Sequence, residues 1–129
     1  MSGDDKALAF LGNNLDSKEA FEILTAYIST SCPDARINVQ NSLIMFKTNN
    51  AFAFVSLPEN KNENMLFNLA LTIKKPIESQ RIDKVIRPTE KSAFVVHIPI
   101  RDKEDIDQEL MSWIRQSYEY SRRSFSRIA

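Results

Sequence analysis

The middle of the chain contains apolar runs joined by links that are mostly too short to hold a crossover helix. Residues 35–40 alternate apolar and polar side chains, and further apolar runs occupy 43–48, 51–57, 66–73 and 92–100. Such short, alternating runs bounded by asparagine or proline are typical of β-strands. Parallel neighbours need connections of a dozen or more residues, so the short links between the first four runs predict an antiparallel meander.

One amphipathic helix is predicted on each side of these strands. Residues 16–19 have the spacing of a capping box, and apolar residues recur from there at helical intervals until Cys32-Pro33, where proline ends the helix. Residues 103–121 carry a second apolar stripe, with acidic first turns that suit the helix dipole. We therefore expect an α+β domain in which an N-terminal and a C-terminal helix cover one face of an antiparallel sheet of about five to six strands.

Length and composition are those of an ordinary globular domain. The 129 residues, of which 43% are hydrophobic and 26% charged, predict one domain over 1–129, with 1–15 as a short helix or arm and 122–129 as a frayed tail. A single cysteine cannot form an internal disulfide, which suits a reducing compartment. The N-terminal residues do not resemble a secretory signal, and we expect a cytoplasmic protein that does not enter membranes.

Charge is balanced overall but unevenly distributed. The chain has 17 basic and 17 acidic residues, yet residues 74–101 contain seven basic and three acidic ones. The basic residues of the segment 74–91 are Lys74, Lys75, Arg81, Lys84, Arg87 and Lys91. This segment is interpreted either as a rim for the phosphate groups of a nucleotide, nucleic acid or phosphorylated partner, or as a charged edge strand that prevents aggregation. It contains no interleaved aromatic residues, so nucleic acid is only weakly favoured.

Motifs for the common catalytic chemistries are missing from the sequence. There is no glycine-rich phosphate loop, no nucleophile elbow and no paired-histidine zinc motif. A pairing of Cys32 with His97 is disfavoured, because Cys32 follows the end of a helix, where the dipole raises the pKa of a thiol. An enzyme that uses His97 in a cleft on the open face of the sheet stays an alternative. The residues expected on that face include Ala53, Val55, Leu66, Ala70, Val95 and His97.

Metal binding would have to use carboxylates. One cysteine and one histidine cannot supply a structural zinc site. The acidic start of the C-terminal helix could hold a hard cation, or could simply complement the helix dipole. The acidic residues there are Asp102, Glu104, Asp105, Asp107 and Glu109.

Three segments of the chain look familiar: KTNNAFAFVSL, LTIKKPIESQRIDKVIRP and HIPIRDKEDIDQELMSWIRQSYE. Over about residues 17–121 they resemble a bacterial family catalogued as a domain of unknown function. Its members occur alone or appended to other modules, some of them nuclease-like, and some are labelled predicted transport proteins. The resemblance supports the fold and implies no assigned activity. Many members have a second histidine beside His97, where Val96 stands here, which argues against a paired-histidine metal site.

The sequence as a whole favours a small binding or interaction module without catalysis, cofactor or metal. The candidate anion-binding residues are Lys74, Lys75, Arg81, Lys84, Arg87 and His97. The partner would be an anionic ligand or a protein. A two-fold homodimer through the open sheet face, an enzyme centred on His97 and a metal carrier are the alternatives.

Overall fold

The computed structural model describes residues 15–40, 43–58 and 65–122. Helix α1 spans Leu15–Ser31 and helix α2 spans Gln108–Ser121. The strands between them are β1 (Arg36–Gln40), β2 (Leu43–Lys47), β3 (Ala51–Ser56), β4 (Phe67–Ile73), β5 (Lys84–Ile86) and β6 (Phe94–Ile100). Most of the predicted arm and tail lies outside the described residues, and the single-domain boundaries stay a prediction.

The six strands form one antiparallel sheet in the order β1-β2-β3-β4-β6-β5. Strands β1 to β4 are a meander, as the short links predict. Strand β6 then pairs with β4 over its whole length, from Ile100 opposite Phe67 to Phe94 opposite Ile73. The short β5 lies outside β6, at the edge of the sheet. The predicted α+β class and the antiparallel sheet are confirmed.

Both helices bury their apolar side chains in the core on one face of the sheet. From α1, the ring of Phe21 contacts the rings of Phe46 and Phe67 at centroid distances of 6.2 and 6.4 Å. From α2, the ring of Tyr118 lies edge-on to Phe52, with centroids 5.7 Å apart. Full burial of such side chains contributes roughly 1.5–3 kcal/mol each, so this aromatic layer is a main source of stability.

A β-bulge in β3 determines which side chains of this strand enter the core. Phe46 pairs with Ala53 and Lys47 pairs with Ala51, so Phe52 is an extra residue in the ladder. As a result, Phe52 and Ala53 are consecutive and both fully buried.

The register corrects the predicted composition of the open face. Ala53 and Val55 lie on the core side, where they pair with the buried Leu71 and Leu69. Leu66 precedes β4 and packs partly against the core. The prediction was wrong for Ala53 and Val55 because the AFAFV run is apolar on both faces and a bulge is not visible in such a pattern. It was wrong for Leu66 because this residue precedes β4 and is not part of the strand's alternation. Ala70, Val95 and His97 alternate with core residues and lie on the open face.

The predicted C-terminal helix is divided near its start. Lys103–Asp105 forms a 3₁₀ turn, and α2 begins only after Asp107. Asp107 has an extended backbone, and its carboxylate accepts a hydrogen bond of 3.0 Å from the backbone N–H of Leu110. A side chain that satisfies a free N–H in this way defines a helix start, so Asp107 is an N-cap and not an interior residue.

The turn between β2 and β3 caps the other end of α2. The side-chain amides of Asn49 and Asn50 donate to the carbonyl oxygens of Arg122 and Ser121, at 3.3 and 3.1 Å. These groups satisfy carbonyls that a helix leaves unpaired at its end. Among the described helices, neither is long and apolar enough to cross a lipid bilayer.

Candidate functional site

Arg81 is held by the start of α2. Its Nη1 lies 3.0 Å from Oδ1 of Asp107 and 2.9 Å from Oε1 of Glu109, and its Nη2 donates to the carbonyl oxygen of Asp105 at 2.5 Å. The guanidinium carbon also lies 5.4 Å from the ring centre of Trp113. Three hydrogen-bond partners and an aromatic ring therefore use most of the binding capacity of this side chain.

Arg87 closes the turn that precedes β6. Its guanidinium donates to the carbonyl oxygens of Ser92, at 3.2 Å, and Glu90. It also stacks over the ring of Phe94, with 4.6 Å between the guanidinium carbon and the ring centre. Like Arg81, Arg87 has intramolecular partners, so the six candidate residues do not form one uniform basic rim.

Lys84 and His97 face each other across the outermost pair of strands. Lys84 is the first residue of the edge strand β5 and pairs with His97 of β6 on the open face. A short, lysine-bearing edge strand was one of the two interpretations of the basic segment, and the structure places β5 in that position.

Asn68 determines which nitrogen of His97 carries the proton. The side-chain amide nitrogen of Asn68 lies 3.0 Å from Nδ1 of His97, so Nδ1 accepts and the neutral ring carries its proton on Nε2. Burial lowers the pKa of His97 below its ordinary value, Lys84 lowers it further, and Asp83 opposes them. With Asn68 as donor to Nδ1, the neutral ring of His97 offers a hydrogen-bond donor at Nε2.

Lys74 and Lys75 lie at a cleft between the end of β4 and helix α2. The cleft has a volume of about 320 Å³. Its lining residues are Ile73, Lys74, Lys75, Arg115, Gln116, Glu119 and Tyr120. Three cations and one carboxylate thus surround a space large enough for a small ligand.

Arg115 is the third cation of this cleft, and the sequence does not predict its position there. It lies on α2, and its Nε is 3.4 Å from Oε2 of Glu119 one helical turn later. Both side chains are about half exposed. Helical spacing predicts the pairing of Arg115 with Glu119, but only the packing of α2 against β4 brings Arg115 to Lys74 and Lys75.

A neighbouring depression on the other side of Arg115 is polar and carries both signs of charge. It is lined by Ser31, Pro33, Asp34, Arg115, Tyr118, Glu119 and Arg122. The hydroxyl of Tyr118 donates to Asp34, and Arg122 lies 3.4 Å from the same carboxylate. Burial and the bond to Asp34 raise the pKa of Tyr118 to about 12, so this phenol stays protonated.

The acidic start of α2 is occupied by protein groups. Asp107 and Glu109 bind Arg81, and a carboxylate oxygen of Asp105 accepts from the backbone N–H of Arg101 at 2.8 Å. Within the described ranges, no group of three or more His, Cys, Asp or Glu side chains is placed to hold a metal ion. Three of the five carboxylates named from the sequence, Asp105, Asp107 and Glu109, therefore already bind groups of the protein.

Cys32 is a core residue. It is 1% exposed, and burial is the main reason that its thiol pKa is raised to about 11. The direction agrees with the expectation from the helix end, but desolvation is the larger cause. A thiol with this pKa is almost entirely protonated at neutral pH and is a poor nucleophile.

Six antiparallel strands covered on one face by two helices define a small α+β domain with a basic cleft beside its C-terminal helix. The chain belongs to the family described as a domain of unknown function (DUF5655), whose family model matches residues 8–121. The resemblance noted from the sequence is thereby confirmed, while the bacterial origin and the transport label stay expectations. No match was found among curated proteins or among solved structures.

Proposed function

We propose that this protein is a non-catalytic binding module that holds an anionic group of its ligand in the cleft formed by Lys74, Lys75 and Arg115. One observation carries the proposal. Two lysines that follow β4 and an arginine that is 40 residues away in the sequence line the same cleft. Opposite charge is attracted most strongly where several cations converge beside a low-dielectric wall, and such convergence favours phosphate or carboxylate groups.

The ion pair between Arg115 and Glu119 does not prevent binding. Both side chains are about half exposed, and surface pairs of this kind contribute only about 0–1 kcal/mol to stability. Arg115 can therefore exchange the carboxylate of Glu119 for an oxygen atom of a ligand at little cost. Ile73 and the half-buried Tyr120 provide less polar walls, which suit a ligand that is not merely an inorganic ion.

Two observations favour binding over catalysis. The tautomer of His97 presents a donor at Nε2, and the thiol of Cys32 is buried and protonated. The remaining anion candidates have other surroundings, since Arg81 and Arg87 bind protein groups and Lys84 lies on the open face. A cytoplasmic location, which suits a lone cysteine, belongs to this proposal as well.

The proposal is tested with chemically different anions. Sodium pyrophosphate, a short single-stranded oligonucleotide and a phosphopeptide are titrated into the protein and followed by amide NMR shifts. We expect at least one probe to shift the resonances of residues 73–75 and 115–120 in a saturable way. The triple variant with Lys74→Gln, Lys75→Gln and Arg115→Gln should bind that probe at least about tenfold more weakly, because each charged hydrogen bond contributes about 1.5–3 kcal/mol before screening.

A control variant removes the same number of charges elsewhere. Lys47→Gln, Lys91→Gln and Arg101→Gln together lower the net charge equally but lie outside the cleft. If this control loses as much affinity as the cleft variant does, the anion is attracted by the overall charge of the protein, and the proposed site is wrong. The same conclusion follows if none of the three probes binds.

A further inference from the structure

One row of side chains crosses five strands of the open sheet face. Cross-strand pairs join Met45 to Phe54, Phe54 to Ala70, Ala70 to His97, and His97 to Lys84. Neighbouring strands lie about 4.8 Å apart, so four steps extend the row to roughly 19 Å. The register continues past Met45 to the exposed Asn38 of β1, so the apolar part of the row lies on β2, β3 and β4, and the row ends with a hydrogen-bond donor and a cation on β6 and β5.

The polar end of this row is arranged as a site for an acid group. Asn68 keeps Nδ1 of His97 occupied, so the neutral ring donates from Nε2. Lys84 lies directly opposite on the exposed edge strand. Asp83, the nearest carboxylate that affects the titration of His97, precedes Lys84 in an extended segment, where successive side chains point to opposite faces. The neutral hydrogen-bond donor of His97 and the positive charge of Lys84 together suit a ligand carboxylate, which carries one negative charge.

The apolar part of the row is suited to the apolar chain of a ligand. Met45 and Phe54 are half-buried, and Ala70, which lies between Phe54 and His97, is only 5% exposed. Ala70 places only a small apolar side chain between Phe54 and His97. Phe54 and Met45 then continue the apolar surface away from the polar end.

We propose that the open sheet face binds an elongated amphipathic acid, a carboxylate with a linear apolar chain. Its carboxylate accepts from Nε2 of His97 and pairs with Lys84, and its chain lies across Ala70, Phe54 and Met45. The change from cation to apolar surface along a single row selects this ligand over an acidic peptide, whose charges would also lie over Phe54. This site is separate from the cleft at Lys74, Lys75 and Arg115, and either one can exist without the other.

The single histidine of the chain makes the test specific. Sodium decanoate, kept below its micelle concentration, is titrated into the full chain while the ring C–H signal of His97 is followed by NMR. We expect a saturable shift of this signal. Hexanoate should bind at least about tenfold more weakly than decanoate, since each methylene removed from water contributes up to about fourfold in affinity.

Variants at each end of the row separate the two parts of the proposal. Lys84→Gln should weaken decanoate binding at least about threefold through the acid group, and Phe54→Ala should weaken it through the chain. The matched control Lys91→Gln removes an exposed lysine that is not on this row and should bind as the wild type does. The cleft variant at Lys74, Lys75 and Arg115 should also bind decanoate normally, whether or not that cleft binds an anion.

Four results would overturn this proposal. The first is a His97 signal that decanoate does not shift, and the second is equal affinity of hexanoate and decanoate, which would leave only an anion contact. The third is unchanged decanoate affinity in Lys84→Gln. The fourth is a shift of the same signal on raising the protein concentration alone, which would identify a second copy of the chain as the occupant of this face.

Discussion

The guanidinium of Arg81 lies 3.0 Å from the carboxylate of Asp107, the residue that caps the start of α2. This pair joins the connection between β4 and β5 to the C-terminal helix across 26 residues of sequence. Arg81 therefore has a structural role, because its guanidinium binds groups of the protein. The residues of the basic segment therefore have different surroundings, and our proposal assigns the anion of the cleft to Lys74 and Lys75 of this segment.

Replacing Arg81 by glutamine is expected to lower the free energy of unfolding by about 1–2 kcal/mol. The variant loses hydrogen bonds to Asp107 and Glu109 and the contact with Trp113, and partial exposure keeps the loss below that of a buried pair. Urea unfolding followed by the fluorescence of the single tryptophan measures it. Arg101→Gln, an exposed cation nearby, should change stability by less than about 0.5 kcal/mol. Equal losses in both variants would show that the Arg81 contacts contribute nothing specific.

The pKa of His97 is expected to lie below its ordinary value of 6.5 in the folded chain. Burial disfavours the charged ring, and Lys84 repels it. The unfolded chain then binds the proton more readily, so the stability contributed by neutral His97 is present above pH 6.5 and is lost as the pH falls through the folded pKa. NMR titration of the single histidine measures this pKa directly, and Lys84→Gln should raise it. A folded pKa above 6.5 would contradict the described surroundings of His97.

Cys32 is expected to resist thiol reagents in the native protein. With its pKa raised to about 11 and its side chain 1% exposed, it should react with iodoacetamide at pH 7.5 at least about a hundredfold more slowly than an exposed cysteine. Mass spectrometry of the alkylated protein over time gives the rate, and the same protein in strong denaturant is the control. Fast labelling of the folded chain would mean that Cys32 is accessible.

Ser117→Ala is expected to cost about 1–2 kcal/mol, although serine and alanine are similar in size. The buried hydroxyl of Ser117 lies 2.6 Å from the carbonyl oxygens of both Phe52 and Thr72, and so connects α2 to β3 and β4. The Phe52 carbonyl belongs to the bulge, where the ladder is interrupted. Thermal unfolding checks this effect against Ser112→Ala, whose hydroxyl is on the exposed side of α2. Equal melting temperatures would contradict a role for Ser117 in holding the bulge.

Alternation and helical periodicity were sufficient to predict the fold class, since they report which face of an element is apolar. The β3 run is apolar at every position from Ala51 to Val55, so its pattern could not reveal the bulge at Phe52. A charged edge strand was one of the two interpretations of the segment 74–91, but its neighbour β6 could not be predicted, because the long connection after β4 allows several strand orders. The C-terminal helix is divided because the side chain of Asp107 binds a backbone N–H group and so starts a new helix there. The amphipathic pattern continues across Asp107, and for that reason the break was not predicted.

The candidate site was predictable only in part, because its residues come from distant parts of the sequence. Lys74 and Lys75 are visible in the sequence as a basic pair, but the partner that completes the cleft, Arg115, is brought there by tertiary packing. Likewise, Arg81 forms its hydrogen bonds with residues more than 20 positions away in the sequence. A sequence shows how much charge is present, whereas the fold determines whether that charge meets a partner or a cleft.

The most direct test of the anion-binding cleft is a calorimetric titration of each of the three anion probes (pyrophosphate, oligonucleotide and phosphopeptide) into the Glu119→Gln variant and the wild type. Glu119 pairs with Arg115 at the wall of the cleft, so its removal frees a cation and removes a repulsive charge. We expect about two- to tenfold tighter binding by the variant at low salt, with the difference shrinking as salt is added. Equal binding by both proteins, or binding by neither, would contradict the proposed cleft.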